Sequence, residues 1–171
     1  DRYVGLKANW GTLKLGSFDS PLKTSQGNVD QFNDMNYTDL SNVMAGDNRL
    51  ANSIGYESPK IADAITIKVT LQPGETTGGD DGVADAISAS VAYEQGGLYL
   101  AAAVDQGGED GVELDQDTIR VTATYTMDAL QLGALVQNSE PSDGSADDVN
   151  SFLVCAAYTM GKNVLKGQFM S

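Results

Sequence analysis

The chain has 171 residues, with 24 acidic against 10 basic side chains, no histidine, one cysteine and a formal net charge of −14 at pH 7. That charge repels nucleic acid and sets a DNA or RNA partner aside. Without histidine these residues hold no Ser-His-Asp triad, and the lone Cys155 leaves no intrachain disulfide to form. No apolar run approaches the ~20 residues of a membrane-spanning helix, and none keeps the i, i+3, i+4, i+7 spacing of an amphipathic one.

What the chain does carry is strand after strand of alternating polarity. Segments 2–9 and 12–18 flank a tight turn at Trp10-Gly11, and a long polar connection, 19–50, follows. Strands at 51–58 and 65–71 are joined across 59–64, and 72–86 is again long. The pair 87–94 and 98–104 has a tight link at 95–97, with 105–117 long after it. Strands 118–127 and 130–137 meet at 127–129 and are followed by the long 138–149. The last pair, 150–159 and 163–170, turns at 160–162. The clearest strand is 118–127, where Ile119, Val121, Ala123, Tyr125 and Met127 alternate with Thr118, Arg120, Thr122, Thr124 and Thr126. Strand side chains point to opposite faces with period two, so each segment presents one apolar and one polar face.

Short and long connections take turns throughout. A soluble sandwich has no reason to sort its loops this way, whereas a transmembrane β-barrel has one edge of short turns and one of long loops. Each strand, with its flanks, has roughly the 9–11 residues a tilted strand needs to cross a bilayer core. The expected fold is therefore all-β, a transmembrane antiparallel β-barrel with about ten strands in this chain. Nineteen of the 24 acidic residues sit in the four long connections. Their plain role is to keep an outer rim solvated; they could also meet divalent cations that bridge to lipopolysaccharide. The runs 78–82 (Gly-Gly-Asp-Asp-Gly) and 105–111 leave room for weak calcium binding, but neither completes an EF-hand loop, and no cofactor is expected. Cys155 shares a strand face with Ser151 and Thr159 and reads as a small space-filler.

The hairpin RYVGLKANWGTLKLGSFD, residues 2–19, resembles the paired strands of general porins from Gram-negative bacteria that lead into their pore loop. The run NRLANSIGYESP, residues 48–59, is similar to the segment that leaves that loop. The likeness covers about the first third of the chain; beyond it only the pattern agrees. It implies a 16-stranded, homotrimeric outer-membrane channel, passive rather than enzymatic, whose third loop, here 19–50, folds inward to narrow the lumen. It also implies an interior segment of a longer porin, with the ten strands matching the fourth to the thirteenth.

At about 32 residues, connection 19–50 exceeds the ~12–15 usual for a structureless loop. It holds enough apolar residues to pack, and Asp39 or Thr38 could cap a helical turn. An inward loop would set Asp30, Asp34, Asp39 and Asp47 against a basic wall of Lys7, Lys14, Lys68, Arg120 and Lys166, with Arg49 at the loop's exit. Charges lining a confined passage set ion preference. Many porins carry arginine where this chain has Ser17, and one base fewer, with acidic outer loops, tilts the expectation to weak cation selectivity. Lipid, lipopolysaccharide, small hydrophilic solutes and ions are the expected partners. Two other readings stay open on the residues alone: a surface β-rich binding protein or adhesin with acidic loops, and a barrel enzyme.

Overall fold

The computed structural model describes residues 1–33, 35–74, 82–107, 114, 116–141 and 147–171. Ten strands form one sheet in chain order: β1 (Arg2–Ala8), β2 (Gly11–Asp19), β3 (Arg49–Glu57), β4 (Ile65–Gln72), β5 (Ala86–Gln95), β6 (Leu98–Gln106), β7 (Gln116–Met127), β8 (Leu130–Pro141), β9 (Val149–Met160) and β10 (Asn163–Met170). Every pairing is antiparallel and between chain neighbours. The only helical pieces among the described residues are α1 (Pro21–Thr24) and a 3-10 turn at Leu40–Asn42, both between β2 and β3.

The sheet buries its polar face. On β7 Thr118, Arg120, Thr122 and Thr124 are buried, while Ile119 is 61% exposed and Val121 48%. On β9 Ser151, Leu153, Cys155 and Ala157 point inward, and Phe152, Val154 and Tyr158 point out. A protein in water would place those apolar rows in its core. Here they lie outside, where only a lipid medium removes them from water. This inversion removes the soluble binding-protein reading.

Each strand arriving at a short turn also carries an outward aromatic close to it. Tyr56, Tyr93, Tyr125 and Tyr158 end β3, β5, β7 and β9. At the end of β1, Trp10 stacks on Tyr56, ring centroids 6.4 Å apart and 15° from parallel, and the Tyr56 hydroxyl donates to the Trp10 carbonyl at 2.6 Å. Amphipathic rings gathered at one level mark a membrane–water interface. No composition count reveals this girdle. Reading the distance of each aromatic from the next turn would have found it.

Turn chemistry explains the tight edge. Gly96 (φ 60°) and Gly97 (φ 83°) form a turn with both central residues at positive φ, which suits the strand twist; a Cβ at 97 would lie 2.5 Å from the Thr126 carbonyl oxygen. In β2 the register against β3 shifts between Gly16 and Phe18. The extra residue lies in β3, where Ser53 to Leu50 spans three residues against two in β2 and Asn52 has φ 50°; Phe18 keeps the inward parity of Lys14 and covers Gly55 closely enough that a Cβ there would be 2.7 Å from its ring. Strands run further toward the long connections than polarity alternation indicates, β8 to Pro141 and β7 from Gln116. Ladder pairing there continues through residues polar on both faces, as in Asp117↔Glu140.

Candidate functional site

The connection between β2 and β3, 20–48, does not extend outward. It enters with Ser20, whose buried hydroxyl accepts from the Lys23 amide at 3.0 Å and caps α1, with Pro21 opening the helix. From there the inner wall takes hold of the loop strand by strand. Leu22 N–H donates to Ser88 Oγ on β5 (3.2 Å), and Tyr99 on β6 donates its hydroxyl to the Ser25 carbonyl (3.0 Å). Gln131 on β8 reaches the Asn28 carbonyl (3.3 Å). At β10, Gln168 accepts from the Gln31 amide (2.8 Å) and donates to the Thr38 carbonyl (2.8 Å), and Lys166 donates to the Gln31 carbonyl (3.2 Å). The loop then returns to Ala45, whose carbonyl accepts from Arg120 (2.7 Å) and Gln137 (3.0 Å), and the Ser20 amide closes the neck on Asn48 (3.0 Å).

Apolar contact adds to the holding. Val29, Leu40 and Met44 of the loop pack with Leu135, Leu153 and Cys155 of the wall, with Met170 at the margin. At ~1.5–3 kcal/mol per buried side chain, the three loop residues contribute about 5–9 kcal/mol. Gly133 makes room for this plug: a Cβ there would sit 2.7 Å from Cys155 Sγ and 3.1 Å from Val29. Cys155 fills space, as the sequence suggests, and also receives the Gln31 side-chain amide at 3.7 Å.

The charged residues fall into distinct settings. Arg120 lies on the polar face of β7, and the loop covers it completely. Its Nε donates to Gln137 Oε1 (2.8 Å) and its two terminal nitrogens to the carbonyls of Leu22 (3.3 Å) and Ala45 (2.7 Å). The opposite charges it feels are Asp105 of β6, itself buried, and Asp47 of the loop. Arg120 is thus a clamp that grips both arms of the loop. Asp47 pairs with Lys23 (3.1 Å), Lys23 also approaches Asp19 (3.5 Å), and Arg49 meets Asp19 (3.0 Å) and Asp1 (3.5 Å). This ladder zips the loop's neck, each pair being worth only ~0–1 kcal/mol at such exposure.

Asp30 serves the loop's own shape: its two oxygens accept from the amides of Phe32 (2.9 Å) and Leu40 (2.8 Å), tying one arm to the other. Asp39 caps the 3-10 turn through the Ser41 amide (2.8 Å), as its sequence context leads one to expect. Asp34 lies outside the described residues. On the opposite part of the wall, Lys14 pairs with Glu57 (3.4 Å) and stands over the rings of Tyr3 (5.5 Å) and Phe18 (6.0 Å). Lys68 donates to Thr24 of α1 (3.3 Å), and Lys7 is exposed on the inner face of β1. The structure therefore gathers Lys14, Lys68 and Glu57 beside the loop's root and Lys166 beside its far turn, but sets Arg49 apart at the neck.

The inner-face glutamines 131, 137 and 168 hold the loop as firmly as any charge, and sequence reading passed over them. Long amides at inward parity are the signal. Residues 78–81 and 108–111 of the two acidic runs lie outside the described residues. Among the described residues no group of three or more His, Cys, Asp or Glu is placed to hold a metal ion.

An up-and-down sheet with an apolar exterior, a polar interior, an aromatic girdle and a loop folded across its inner wall is the architecture of an outer-membrane β-barrel channel. A family model described as Gram-negative porin matches residues 1–171, and the chain belongs to that family. It is similar to the major outer membrane protein P.IB of Neisseria gonorrhoeae, 26% identical over 142 residues that span 78% of this chain and 39% of that protein. A second protein of the same name and organism is 27% identical over 101 residues, 57% of this chain and 28% of its own length. The chain thus spans less than half of the curated relatives it matches. Among solved structures it resembles a loop L8 deletion mutant of OmpT from Vibrio cholerae (TM-score 0.73, 15% identity, 98% of this chain and 60% of that one). It also resembles Salmonella typhi OmpF in complex with daunomycin (TM-score 0.51, 14% identity, 98% and 69%). These structural likenesses concern the fold. Family membership answers the enzyme reading as well and places the protein in the bacterial outer membrane.

Proposed function

We propose that the protein is a general diffusion porin, a passive channel for small hydrophilic solutes and ions with a weak preference for cations. The observation that carries this reading is the loop 20–48, docked across the polar inner wall from β5 to β10 by hydrogen bonds and an apolar plug. A loop held there narrows the passage without sealing it against a specific pocket, and charge along the passage then biases which ions cross. The four acids Asp30, Asp34, Asp39 and Asp47 supply the negative side of the constriction; Lys7, Lys14, Lys68 and Lys166 supply the positive side, with Arg49 at the exit and Arg120 behind the loop.

The preference for cations follows from compensation. Arg120 is covered and Arg49 and Lys14 each face a carboxylate, which leaves Lys7, Lys68 and Lys166 as the wall's unpaired bases among the described residues. The net charge of −14 is uncompensated and concentrated in the long connections, which enrich cations at the mouth. The apolar exterior with its tyrosine girdle meets lipid, and the acidic rim meets lipopolysaccharide through divalent cations. The homotrimer is what the resemblance to general porins implies. A planar bilayer with the full-length protein under a salt gradient tests the reading: the expected reversal potential has the sign of cation preference, and a chloride-favouring potential would reject the selectivity.

A further inference from the structure

Beneath the far turn of the loop, on the short-turn side, lies a cavity of about 370 Å³ between loop residues 26–33 and the ends of β7–β10. Its size is at the small end of the ~300–1,000 Å³ typical of small-molecule sites. The lining is mostly uncharged hydrogen-bonding groups. Gln26 and Asn28 come from the loop; Thr126, Gln131 and Thr159 come from the inward rows of the wall. Three charged groups stand at its border: Asp30, which accepts from the Phe32 and Leu40 amides, Lys166, which donates to the Gln31 carbonyl, and Asp128 at the β7–β8 turn. A buried acceptor, Gln26 Oε1, has no hydrogen-bond partner among the described residues.

Amides and hydroxyls each offer both donor and acceptor, the pattern that matches vicinal hydroxyl groups, and the carboxylates and ammonium at the border can accept from or donate to hydroxyls in turn. Val164 on the cavity's floor gives apolar contact for a C–H face. Resting on the porin reading above, we propose that this cavity is a binding subsite for a small neutral polyhydroxylated solute, of monosaccharide size, entered from the short-turn side of the constriction.

The experiment uses full-length protein in a planar bilayer, with glucose added to one side at a time and brief interruptions of the open current recorded. Interruptions are expected chiefly from the short-turn side. Thr126→Val and Thr159→Val, made singly and together, are each read as a fraction of their own open current. Removing both hydroxyls should weaken the glucose effect about tenfold or more. Thr66→Val, on the inner face of β4 away from the cavity, should leave it as it is. A conducting channel without glucose events, equal events in the Thr126→Val/Thr159→Val protein, or events with zwitterionic glycine in place of glucose would each overturn the subsite. Absent conductance in the unsubstituted protein would instead reject the channel itself.

Discussion

Replacing Arg120 by methionine keeps an unbranched apolar stem and removes the guanidinium that clamps the loop. Two hydrogen bonds to loop carbonyls, at Leu22 and Ala45, disappear. With a charged donor each is worth ~1.5–3 kcal/mol, so loop docking loses about 3–6 kcal/mol. Tenfold per ~1.4 kcal/mol makes the undocked population rise roughly a hundred- to ten-thousand-fold. The apolar plug of Val29, Leu40 and Met44 and the Gln137–Ala45 bond remain, so the loop still docks most of the time. Asp105 and Asp47 lose their shared counter-charge as well, which leaves a buried carboxylate on the wall facing the loop and adds to the loosening. The readout is unitary conductance and open-channel noise: Arg120→Met should give a larger, noisier conductance in a barrel that still folds. Arg120→Lys keeps the charge but cannot reach three partners from one planar group, and should fall between. Conductance and noise equal to those of the unsubstituted protein in Arg120→Met would refute the clamp.

Two further substitutions probe the surroundings of the loop. Val121→Lys places a charge mid-strand on the outward face of β7; it should cost ~2–4 kcal/mol in folding into lipid vesicles, measured by urea titration, whereas a cost near zero would mean that face does not meet lipid. Gly133→Ala drives a Cβ into Cys155 and Val29 and should cost ~1–3 kcal/mol by overpacking, read as a lower melting temperature in detergent. Adding Cys155→Ala should return most of that loss, and an unchanged melting temperature in the single variant would contradict the close packing.

The sheet is legible in the sequence because its cause is local. Alternation in 118–127 needs only neighbouring residues to be read, and β7 follows it. Strand ends are less legible, since alternation stops where Asp117 and Glu140 leave the apolar belt while ladder pairing carries on. The tyrosine girdle was within reach, one ring shortly before each short turn.

The loop's contents are another matter. Its length and apolar residues mark it as ordered, and Asp39 as a cap, but that Asp30 also ties the Phe32 and Leu40 amides together is not written in its neighbours. Arg120's face follows from parity; that a segment about a hundred residues earlier lies over it does not. Gln168 meets Gln31 across a separation of 137 residues, and nothing local records such a pairing.

Those separations also impose an order of assembly. The sheet can grow by adding each strand to the one just before it, because every pairing joins chain neighbours. The loop cannot settle on the same schedule. Its seat on β7 is 75 residues from Ala45, and its seats on β8 and β10 are 103 to 137 residues from Asn28 and Gln31. The segment that leaves the chain early in sequence is thus among the last to find its place, after the wall that receives it exists. A nascent barrel is therefore expected to pass through a wide-bore stage before its constriction closes, and conductance recorded during insertion should step down as the loop docks.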